Sequence, residues 1–317
     1  MTISGQPVFT VGVATYNHAC VLPRLYESLR SQTFRDFEFV IVDDGSTDDT
    51  EALVQSWVAK ADFPVRYFRQ PNSGRHVAIN RGVQEACGAF YHDVNADDAL
   101  VPQTLERFLH HWERIADDKR PSFAGVGALC TTFSGQLVGT EFPTTPFDSD
   151  PMRANMLFGV RGDKTWFIRT EVMREFPFPV IPGERYMPPH VAWWRIARHY
   201  RFRFVNEVLR IKDYLPGGVT RSRPRTIVTS PLGYRLMIME DMHPPFRLGL
   251  LKRAQQHAHY VRFSLHARVS VGQMVHEAPS LPLLCVGVPK GIWFWTCDRW
   301  LARQQVVAGE ADNTRQP

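Results

Sequence analysis

The segment "HDVNADDAL" at residues 92–100 gathers acidic side chains where a predicted strand ends. Asp97 and Asp98 are adjacent, Asp93 precedes them on the strand, and a proline follows at Pro102. Carboxylates this close repel each other, so they need a neighbour that compensates their charge. Two interpretations fit: an acidic turn that caps a following helix, or a site that binds a positively charged group.

Alternating strands and helices lead up to this segment. Apolar runs rich in β-branched and aromatic residues predict strands, and apolar residues three or four positions apart predict helices. The predicted strands are 8–15, 37–44, 65–70 and 88–95, and the predicted helices between them are 21–32, 46–60 and 74–86. This order predicts an α/β fold with a mostly parallel, Rossmann-like sheet flanked by helices.

The four predicted strands end in the same kind of sequence. Their ends read "ATYN", "VDDGS", "QPNSG" and "NADD", all dominated by small or polar residues. In open parallel sheets, ligands bind at the carboxyl ends of the strands. The pattern alone therefore predicts a ligand site at this edge of the sheet.

The alternation becomes less regular after about residue 120. Strands are predicted at 123–133, 164–170 and 202–214, a helix at 191–200, and mainly helix from about 230 onward. The stretch "LPGGVTRSRPR" predicts a boundary because Gly and Pro are followed by charge. We expect a domain of residues 1–225, with halves of about 1–115 and 116–225, and a C-terminal helical region of residues 226–317.

Composition restricts the class of protein. Of 317 residues, 44% are hydrophobic and 22% charged, with a net charge of +5, as in a globular chain. The five cysteines are widely spaced without a CxxC pair, which indicates free thiols in a reducing compartment and no zinc site. The sequence shows neither a secretion signal nor an apolar run of about 18 residues.

Two further classes fit the sequence poorly. A nucleic-acid-binding protein is suggested by the basic composition, but no recognisable reading motif is present and the basic residues alternate with acids. A dinucleotide dehydrogenase would carry GxGxxG after the first strand, where "ATYNHA" contains no glycine.

The segments "VATYNHACVLPRLYESLRSQTFRDFEFVIVDDGSTDDT" and "NSGRHVAINRGVQEACGAFYHDVNADDALVP" resemble family 2 glycosyltransferases, which have the GT-A fold. The resemblance covers about the first 110 residues, and weaker features continue to about residue 220. It implies an inverting, metal-dependent enzyme that moves a hexose or N-acetylhexosamine from a UDP-sugar. The implied acceptor is a glycan or lipid-linked glycan in surface polysaccharide synthesis, and no nucleic acid takes part.

The resemblance also implies a set of donor-binding residues. Tyr16 matches the platform on which the uracil ring stacks, Asp44 the acceptor of a uracil hydrogen bond, and Arg75 a contact to the diphosphate. The expected donor-binding residues are Thr15, Tyr16, Asn17, Asp43, Asp44, Arg75, Asn95 and Asp97. The residues alone also allow a rim tyrosine, a turn aspartate that braces its loop, and a solvated arginine.

The "NADD" segment matches the acidic DxD motif with which the family binds a metal ion. The resemblance therefore implies that Asp97 and Asp98 hold Mn²⁺ or Mg²⁺ together with the donor diphosphate. Asn95 stands where relatives often carry aspartate, which weakens the motif by one charge. The alternative for Asp98, a helix cap ahead of "ALVPQTLERFL", remains open.

The catalytic base is the least clear part of the resemblance. Counting back from Trp193, the family's usual acid falls on Pro189, which cannot accept a proton. Glu184 is the nearest carboxylate and the first candidate for the catalytic base, and His190 is the second candidate. Another acid, such as Asp163, is a further alternative. Asp163 and Lys164 also lie in a segment that lines the acceptor side in relatives. Pro189 and Asn95 motivate an alternative function, a nucleotide-sugar-binding protein without turnover.

The segment "GVPKGIWFWTCDRWLAR" near the C-terminus mixes tryptophans with basic residues. That combination suits a membrane interface, and the alternative is a helix that packs on the catalytic domain. The first alternative predicts a cytoplasmic enzyme that is peripheral at the inner face of the membrane.

Overall fold

A mixed β-sheet organises the first part of the chain. The computed structural model describes residues 6–214 and 223–313, with side chains given except at 223–224 and 305–313. The strands are β1 (Phe9–Thr15), β2 (Phe37–Asp43), β3 (Val65–Arg69), β4 (Phe90–Asn95), β5 (Ala99–Leu100), β6 (Phe123–Thr132), β7 (Phe147–Ser149), β8 (Lys164–Arg169) and β9 (Arg201–Lys212). Their order in the sheet is β3-β2-β1-β4-β8-β6-β9-β5, and β7 pairs with β9.

The first four strands are parallel, as the sequence predicts. Strand β1 lies between β2 and β4, with Thr15 opposite Asp43 and Ala14 opposite Asn95. Strand β3 continues the sheet, with Arg69 opposite Asp43. The carboxyl ends of four consecutive strands therefore meet at one edge, which is where the alternating pattern places a ligand site.

The other half of the sheet brings different segments to the same edge. Strand β8 is antiparallel to β4 and to β6, so it begins, at Lys164, beside the carboxyl end of β4. Strand β9 is parallel to β6 and ends there at Lys212. The short β5 pairs with β9, with Leu100 opposite Arg210, and holds the "NADD" segment against the end of β9.

The helices follow the predicted spacing of apolar residues. Helix α1 buries Leu22, Leu25 and Leu29 completely on the sheet. The helices are α1 (Leu22–Arg30), α2 (Thr50–Val58), α3 (Arg75–Glu85), α4 (Thr104–Glu113), α5 (Pro151–Met156), α6 (Thr170–Glu175), α7 (His190–Ala197), α8 (Arg223–Thr229), α9 (Pro231–Asp241), α10 (Leu250–His266), α11 (Val271–Glu277) and α12 (Leu281–Asn313). A short 3₁₀ turn covers Arg120–Ser122.

The chain divides into two compact units. The first takes Met1–Phe178 and Ala192–Leu215, and the second takes Pro179–Val191 and Pro216–Pro317. The first has a core of aromatic and aliphatic side chains on the sheet, including Phe9, Phe39 and Phe167. The second has its own core around Tyr234, Tyr260 and Phe263. Most of the predicted boundary "LPGGVTRSRPR" falls on residues 215–222, outside the described residues. Within the described residues, no helix has the length and apolar character to cross a membrane.

Candidate functional site

The Asp44 carboxylate organises the loop that follows β3. Its Oδ1 accepts hydrogen bonds from Gln70 Nε2 at 2.8 Å and from the Ser73 backbone N–H at 2.9 Å. Its Oδ2 accepts the Gly74 backbone N–H at 2.8 Å, at the start of α3. Asp44 therefore supplies the anion at the N-terminus of α3, the position at which a phosphate often binds. Its predicted contact with uracil would use the lone pairs that remain.

Asp43 and Asn17 fix the neighbouring loops. Asp43 is fully buried and accepts hydrogen bonds from the Ser46 backbone N–H at 2.7 Å and the Tyr67 hydroxyl at 2.7 Å. Asn17 has a positive φ of 53°, and its Oδ1 accepts the Thr47 backbone N–H at 2.7 Å. Hydrogen bonds between side chains and backbone thereby join the loops after β1 and β2.

The side chain of Tyr16 is exposed at this edge of the sheet. It follows the last residue of β1, and 44% of its surface is exposed, whereas its neighbour Thr15 is buried. An exposed aromatic ring on a fixed loop is suited to stacking against a flat ring. Nearby, a shallow depression is lined by Gly45, Arg69, Gln70, Pro71 and Asn72.

Arg75 is held by the end of β4. Its Nη2 donates to Asp93 Oδ2 at 2.7 Å and to Asn95 Oδ1 at 2.8 Å, and the side chain is 37% exposed. One guanidinium thus connects the first residue of α3 with two alternate residues of β4. Because 37% of the Arg75 side chain is exposed, its guanidinium can also contact an anion.

Asp98 lies in a buried charge cluster. It is 0% exposed, its Oδ2 accepts Arg210 Nε at 2.6 Å, and its Oδ1 accepts the Asp213 backbone N–H at 3.1 Å. Lys212 Nζ lies 3.8 Å from the same Oδ2. The protein itself therefore compensates this carboxylate. The role of Asp98 as a metal ligand stays a prediction, and its observed partners explain why its charge is tolerated here.

The neighbouring Asp97 has a different environment. Among the described residues, no other residue donates a hydrogen bond to its carboxylate or forms an ion pair with it, and the side chain is half-buried. Burial raises the pKa of Asp97 above its ordinary value, and the negative charge of Asp98 raises it further. Its backbone oxygen accepts a hydrogen bond from Arg24, which fixes the turn. Asp97 is thus the "NADD" carboxylate that is available to a cation.

Several buried polar atoms at this edge lack a hydrogen-bond partner among the described residues, and three of them lie at or just after the ends of β1 and β4. They are Thr15 Oγ1, His18 Nδ1 and Asp93 Oδ1. Such atoms are uncommon in folded proteins, and a bound water, ion or ligand is one explanation for them. No group of three His, Cys, Asp or Glu side chains in the described part of the chain is arranged to hold a metal ion. The residues fit a metal ion that arrives with a diphosphate and takes one or two protein carboxylates, rather than an all-protein cage.

Asp163 and Lys164 border the site from the start of β8. Asp163 Oδ2 lies 3.0 Å from Lys212 Nζ and accepts the Tyr214 hydroxyl at 3.3 Å, and its side chain is 53% exposed. Desolvation acts to raise the pKa of Asp163, but the charges of Lys212 and Arg210 and the hydrogen bonds from Lys212 and Tyr214 together outweigh it, so the pKa lies below its ordinary value. Lys164 points its Nζ at the backbone oxygens of Arg161, at 2.7 Å, and Val138.

Glu184, the first candidate base, belongs to the second unit. Its Oε1 accepts the Leu232 backbone N–H at 2.5 Å and its Oε2 accepts the Gly233 backbone N–H at 2.6 Å. The carboxylate thereby caps the N-terminus of α9. Burial raises the pKa of Glu184, and these two hydrogen bonds oppose that shift. His190 is the first residue of α7. The structure assigns a capping role to Glu184, and the base role of either residue stays a prediction.

Sequence reasoning missed Arg210, Lys212 and Tyr214, which supply the cations and the hydroxyl around Asp98 and Asp163. Their signal was present in the alternation of "FRFVNEVLRIKDY", where two basic residues occupy alternate positions near the strand end. Alternate residues of a strand share a face, so both reach the same carboxylate.

Comparison with known protein families gives the site its context. Residues 10–130 match the family model described as glycosyl transferase family 2, which covers all of β1 except its first residue, all of β2 to β4 and every predicted donor residue. The chain contains a family 2 glycosyltransferase domain. Its mixed sheet flanked by helices is the GT-A fold.

Curated glycosyltransferases are similar to about a third of the chain. A "PGL/p-HBAD biosynthesis glycosyltransferase" of Mycobacterium bovis is 37% identical over 102 residues, which is 32% of this chain and 40% of that protein. A "GalNAc(5)-diNAcBac-PP-undecaprenol beta-1,3-glucosyltransferase" of Campylobacter jejuni is 32% identical over 106 residues, 33% of this chain and 34% of that protein. The match thus spans about 40% or less of these relatives.

Solved structures resemble nearly the whole chain. S. aureus TarS 1-349 in complex with UDP-GlcNAc has a TM-score of 0.63 at 19% identity, covering 94% of this chain and 92% of that chain. The mannosyltransferase PcManGT from Pyrobaculum calidifontis, in complex with GDP-Man and Mn²⁺, has a TM-score of 0.57 at 19% identity and covers 98% of this chain and 88% of that chain. At this identity the likeness establishes the fold alone.

Proposed function

We propose that this protein is an inverting glycosyltransferase that moves a hexose or N-acetylhexosamine from a UDP-sugar to a glycan or lipid-linked glycan. The observation that carries the proposal is the edge of four parallel strands, where Asp44 braces the loop after β3 and the Asp97 carboxylate has no hydrogen bond or ion pair from another described residue. The family 2 domain over residues 10–130 supports it.

The nucleoside would lie on the loops after β1 and β2. Tyr16 offers its exposed ring to the uracil, and the hydrogen bonds to Asp44 hold the backbone of residues 70–74 in place beside it. Arg75, with 37% of its side chain exposed, neutralises part of the diphosphate charge while it stays anchored on Asp93 and Asn95. Thr15 and Asn17 complete the donor-binding loop.

Asp97 would hold the Mn²⁺ or Mg²⁺ ion together with the diphosphate oxygens. When bound, such an ion stabilises the negative charge of departing UDP. The neighbouring Asp98 keeps the turn in place through Arg210 and Lys212. The solved structure of PcManGT contains Mn²⁺, which supports a divalent metal for this fold.

We assign the proton acceptor to Asp163. At the edge where the parallel strands end, Asp43, Asp44 and Asp98 are buried and hydrogen-bonded within the protein, while the Asp163 side chain is 53% exposed. Lys212 keeps it ionised, so it accepts the proton of the acceptor hydroxyl as that oxygen bonds to the anomeric carbon. The bond from that carbon to the phosphate oxygen breaks, and UDP leaves with the electron pair. Lys164 and Asp163 form the acceptor side.

A lipid-linked acceptor in polysaccharide assembly is supported by a relative's name, since that Campylobacter jejuni protein is described as acting on an undecaprenol-linked glycan. The five cysteines are free thiols, which supports a cytoplasmic location. The second candidate function, sugar-nucleotide binding without turnover, is favoured by the engagement of both Glu184 oxygens in the α9 cap.

Release of UDP tests the proposal against this alternative. Purified protein is incubated with Mn²⁺ and UDP-glucose or UDP-N-acetylglucosamine, with and without a polyprenyl-diphosphate-linked sugar, and UDP is measured by chromatography. Acceptor-stimulated UDP release from one donor supports transfer. Binding of UDP without release from either donor, with any acceptor in the panel, favours the alternative.

A further inference from the structure

Helix α12 has one face packed against α10. A Cβ added to Gly287 would lie 2.8 Å from the Ala258 backbone nitrogen, and one added to Gly291 would lie 2.6 Å from Val261 Cβ. Asp298, two turns further along, is 4% exposed and pairs with α10. Residues 287, 291 and 298 therefore define the inner face of α12, and side chains about half a turn away lie on the outer face.

The outer face is apolar where a surface helix is usually polar. Val286, Trp293 and Trp300 recur every seventh residue, and 65%, 60% and 61% of their surfaces are exposed. A spacing of seven places them in one row along the helix. Ile292 is 44% exposed beside this row. Two exposed tryptophans in one row form a large apolar patch, and such patches mark sites at which a protein binds a partner or a membrane.

The charges on this face have a single sign. Lys290, Arg299 and Arg303 are exposed, and Arg299 stacks over Trp295 at 4.8 Å. The only acidic residue between Leu281 and Gln304 is Asp298, which is buried and paired with Arg262. Between Leu281 and Gln304, the outward face therefore combines apolar rings with cations and carries no exposed carboxylate.

We propose that the outer face of α12 binds the surface of an anionic membrane. Tryptophan is suited to the boundary between lipid headgroups and acyl chains, and basic residues beside it are attracted to anionic headgroups. No described helix is long and apolar enough to span a bilayer, so the contact is peripheral. This inference does not depend on sugar transfer, because it rests on α12 alone.

A second copy of the chain fits this face less well. Two copies related by a twofold axis would place the same patch against itself. Lys290, Arg299 and Arg303 would then meet their own counterparts, and residues 281–304 offer no exposed acid with which to pair. Like charges brought together at an interface are unfavourable, whereas anionic headgroups would neutralise them.

The test is sedimentation of the full chain with lipid vesicles. One set contains phosphatidylcholine alone and the other includes phosphatidylglycerol. We expect the protein to sediment with the anionic set and to be released by salt. The variant Trp293→Ser/Trp300→Ser should reduce the bound fraction by about tenfold or more. The variant Lys290→Gln/Arg299→Gln should weaken binding to anionic vesicles by about fivefold for each charge removed.

The matched control is Phe158→Ser, which removes an exposed aromatic ring, 54% exposed, from the first unit. It should bind vesicles like the parent, and all variants should keep the parent's melting temperature and UDP affinity. Two results would overturn the proposal: a parent that stays in solution with both vesicle types, or a parent dimer that the double tryptophan variant converts to a monomer. Vesicle binding by a protein that does not bind UDP would defeat the proposed function and leave this inference standing.

Discussion

The Asp98 carboxylate and the Arg210 guanidinium form an ion pair inside the protein, with Arg210 Nε 2.6 Å from Asp98 Oδ2. Their side chains are 0% and 7% exposed. Arg210 Nη1 also donates to the backbone oxygen of Asp93, so the pair joins the end of β9 to β4. The adjacent Asp97 lacks such a partner among the described residues. Two neighbouring carboxylates thus have different environments, one structural and one open to a cation.

Replacing Asp98 should lower the stability of the fold more than it lowers metal-dependent UDP binding. In Asp98→Asn, Arg210 stays buried without a counter-charge, which costs about 3–5 kcal/mol when a buried pair is broken. We expect urea denaturation to show a fall of that size in the free energy of unfolding. A stable Asp98→Asn protein that has lost only metal-dependent UDP binding would instead make Asp98 a metal ligand.

Replacing Asp97 should remove the metal dependence of UDP binding without lowering the stability of the fold. Its ionised form is disfavoured by burial and by Asp98, so Asp97→Asn should melt at the same temperature as the parent or higher. Binding of UDP should lose its dependence on Mn²⁺, because the open carboxylate is gone. A variant that melts much lower than the parent would show that Asp97 has a structural partner.

The raised pKa of Asp97 predicts a pH dependence of that stability difference. An acid whose pKa is raised by folding destabilises the folded protein when it is ionised, and this cost disappears as the pH falls through the raised pKa. The advantage of Asp97→Asn in melting temperature should therefore be largest near neutral pH and vanish in acid. Thermal melts of both proteins between about pH 4 and 7.5 measure it. A difference that grows on acidification would contradict the assignment.

Asp44→Asn tests the braced loop. In the parent, the two Asp44 oxygens accept the backbone N–H groups of Ser73 and Gly74. An asparagine has only one acceptor oxygen, so its NH₂ group would face one of these N–H donors and that hydrogen bond would be lost. Hydrogen bonds to charged groups contribute about 1.5–3 kcal/mol, so we expect UDP affinity to fall by about tenfold or more. Limited proteolysis should cut residues 70–74 faster than in the parent. Equal affinity and equal protection would separate this loop from nucleotide binding.

Variants of Asp163 and Glu184 show which of the two carboxylates is the catalytic base and which one only caps α9. Asp163→Asn should lower turnover by about 10²–10⁴-fold with UDP affinity unchanged, as removal of a general base does. Glu184→Gln should mainly lower the melting temperature, because its amide cannot accept both the Leu232 and Gly233 N–H groups. Full turnover in Asp163→Asn, with loss of turnover but normal melting in Glu184→Gln, would return the base to Glu184.

The fold was predictable because its signals are local. The apolar runs of β1 to β4 and the spacing of Leu22, Leu25 and Leu29 need only neighbouring residues to be recognised. The roles within the site depend on partners far along the chain. Asp98 pairs with Arg210, 112 residues away, and Glu184 caps α9 through Gly233, 49 residues away. Nothing in "NADD" itself tells which of its carboxylates meets an arginine.

The short elements were missed for a related reason. The two residues of β5 have no periodicity to detect, yet their pairing with β9 sets the position of Asp98. Strand β7, with three residues, is defined only by its pairing with Phe202–Phe204. Strand pairing decides both elements, and pairing is a property of the folded chain rather than of the segment.

The most direct test of the central claim is calorimetric titration of UDP into the parent protein and Asp97→Asn, with Mn²⁺ and then with EDTA. GDP and CDP serve as controls for the base. We predict that the parent binds UDP in preference to GDP and CDP, that EDTA weakens this binding, and that Asp97→Asn binds UDP equally with Mn²⁺ or EDTA. Absence of nucleotide binding by the parent at every metal concentration would contradict a working donor site at the carboxyl ends of β1 to β4.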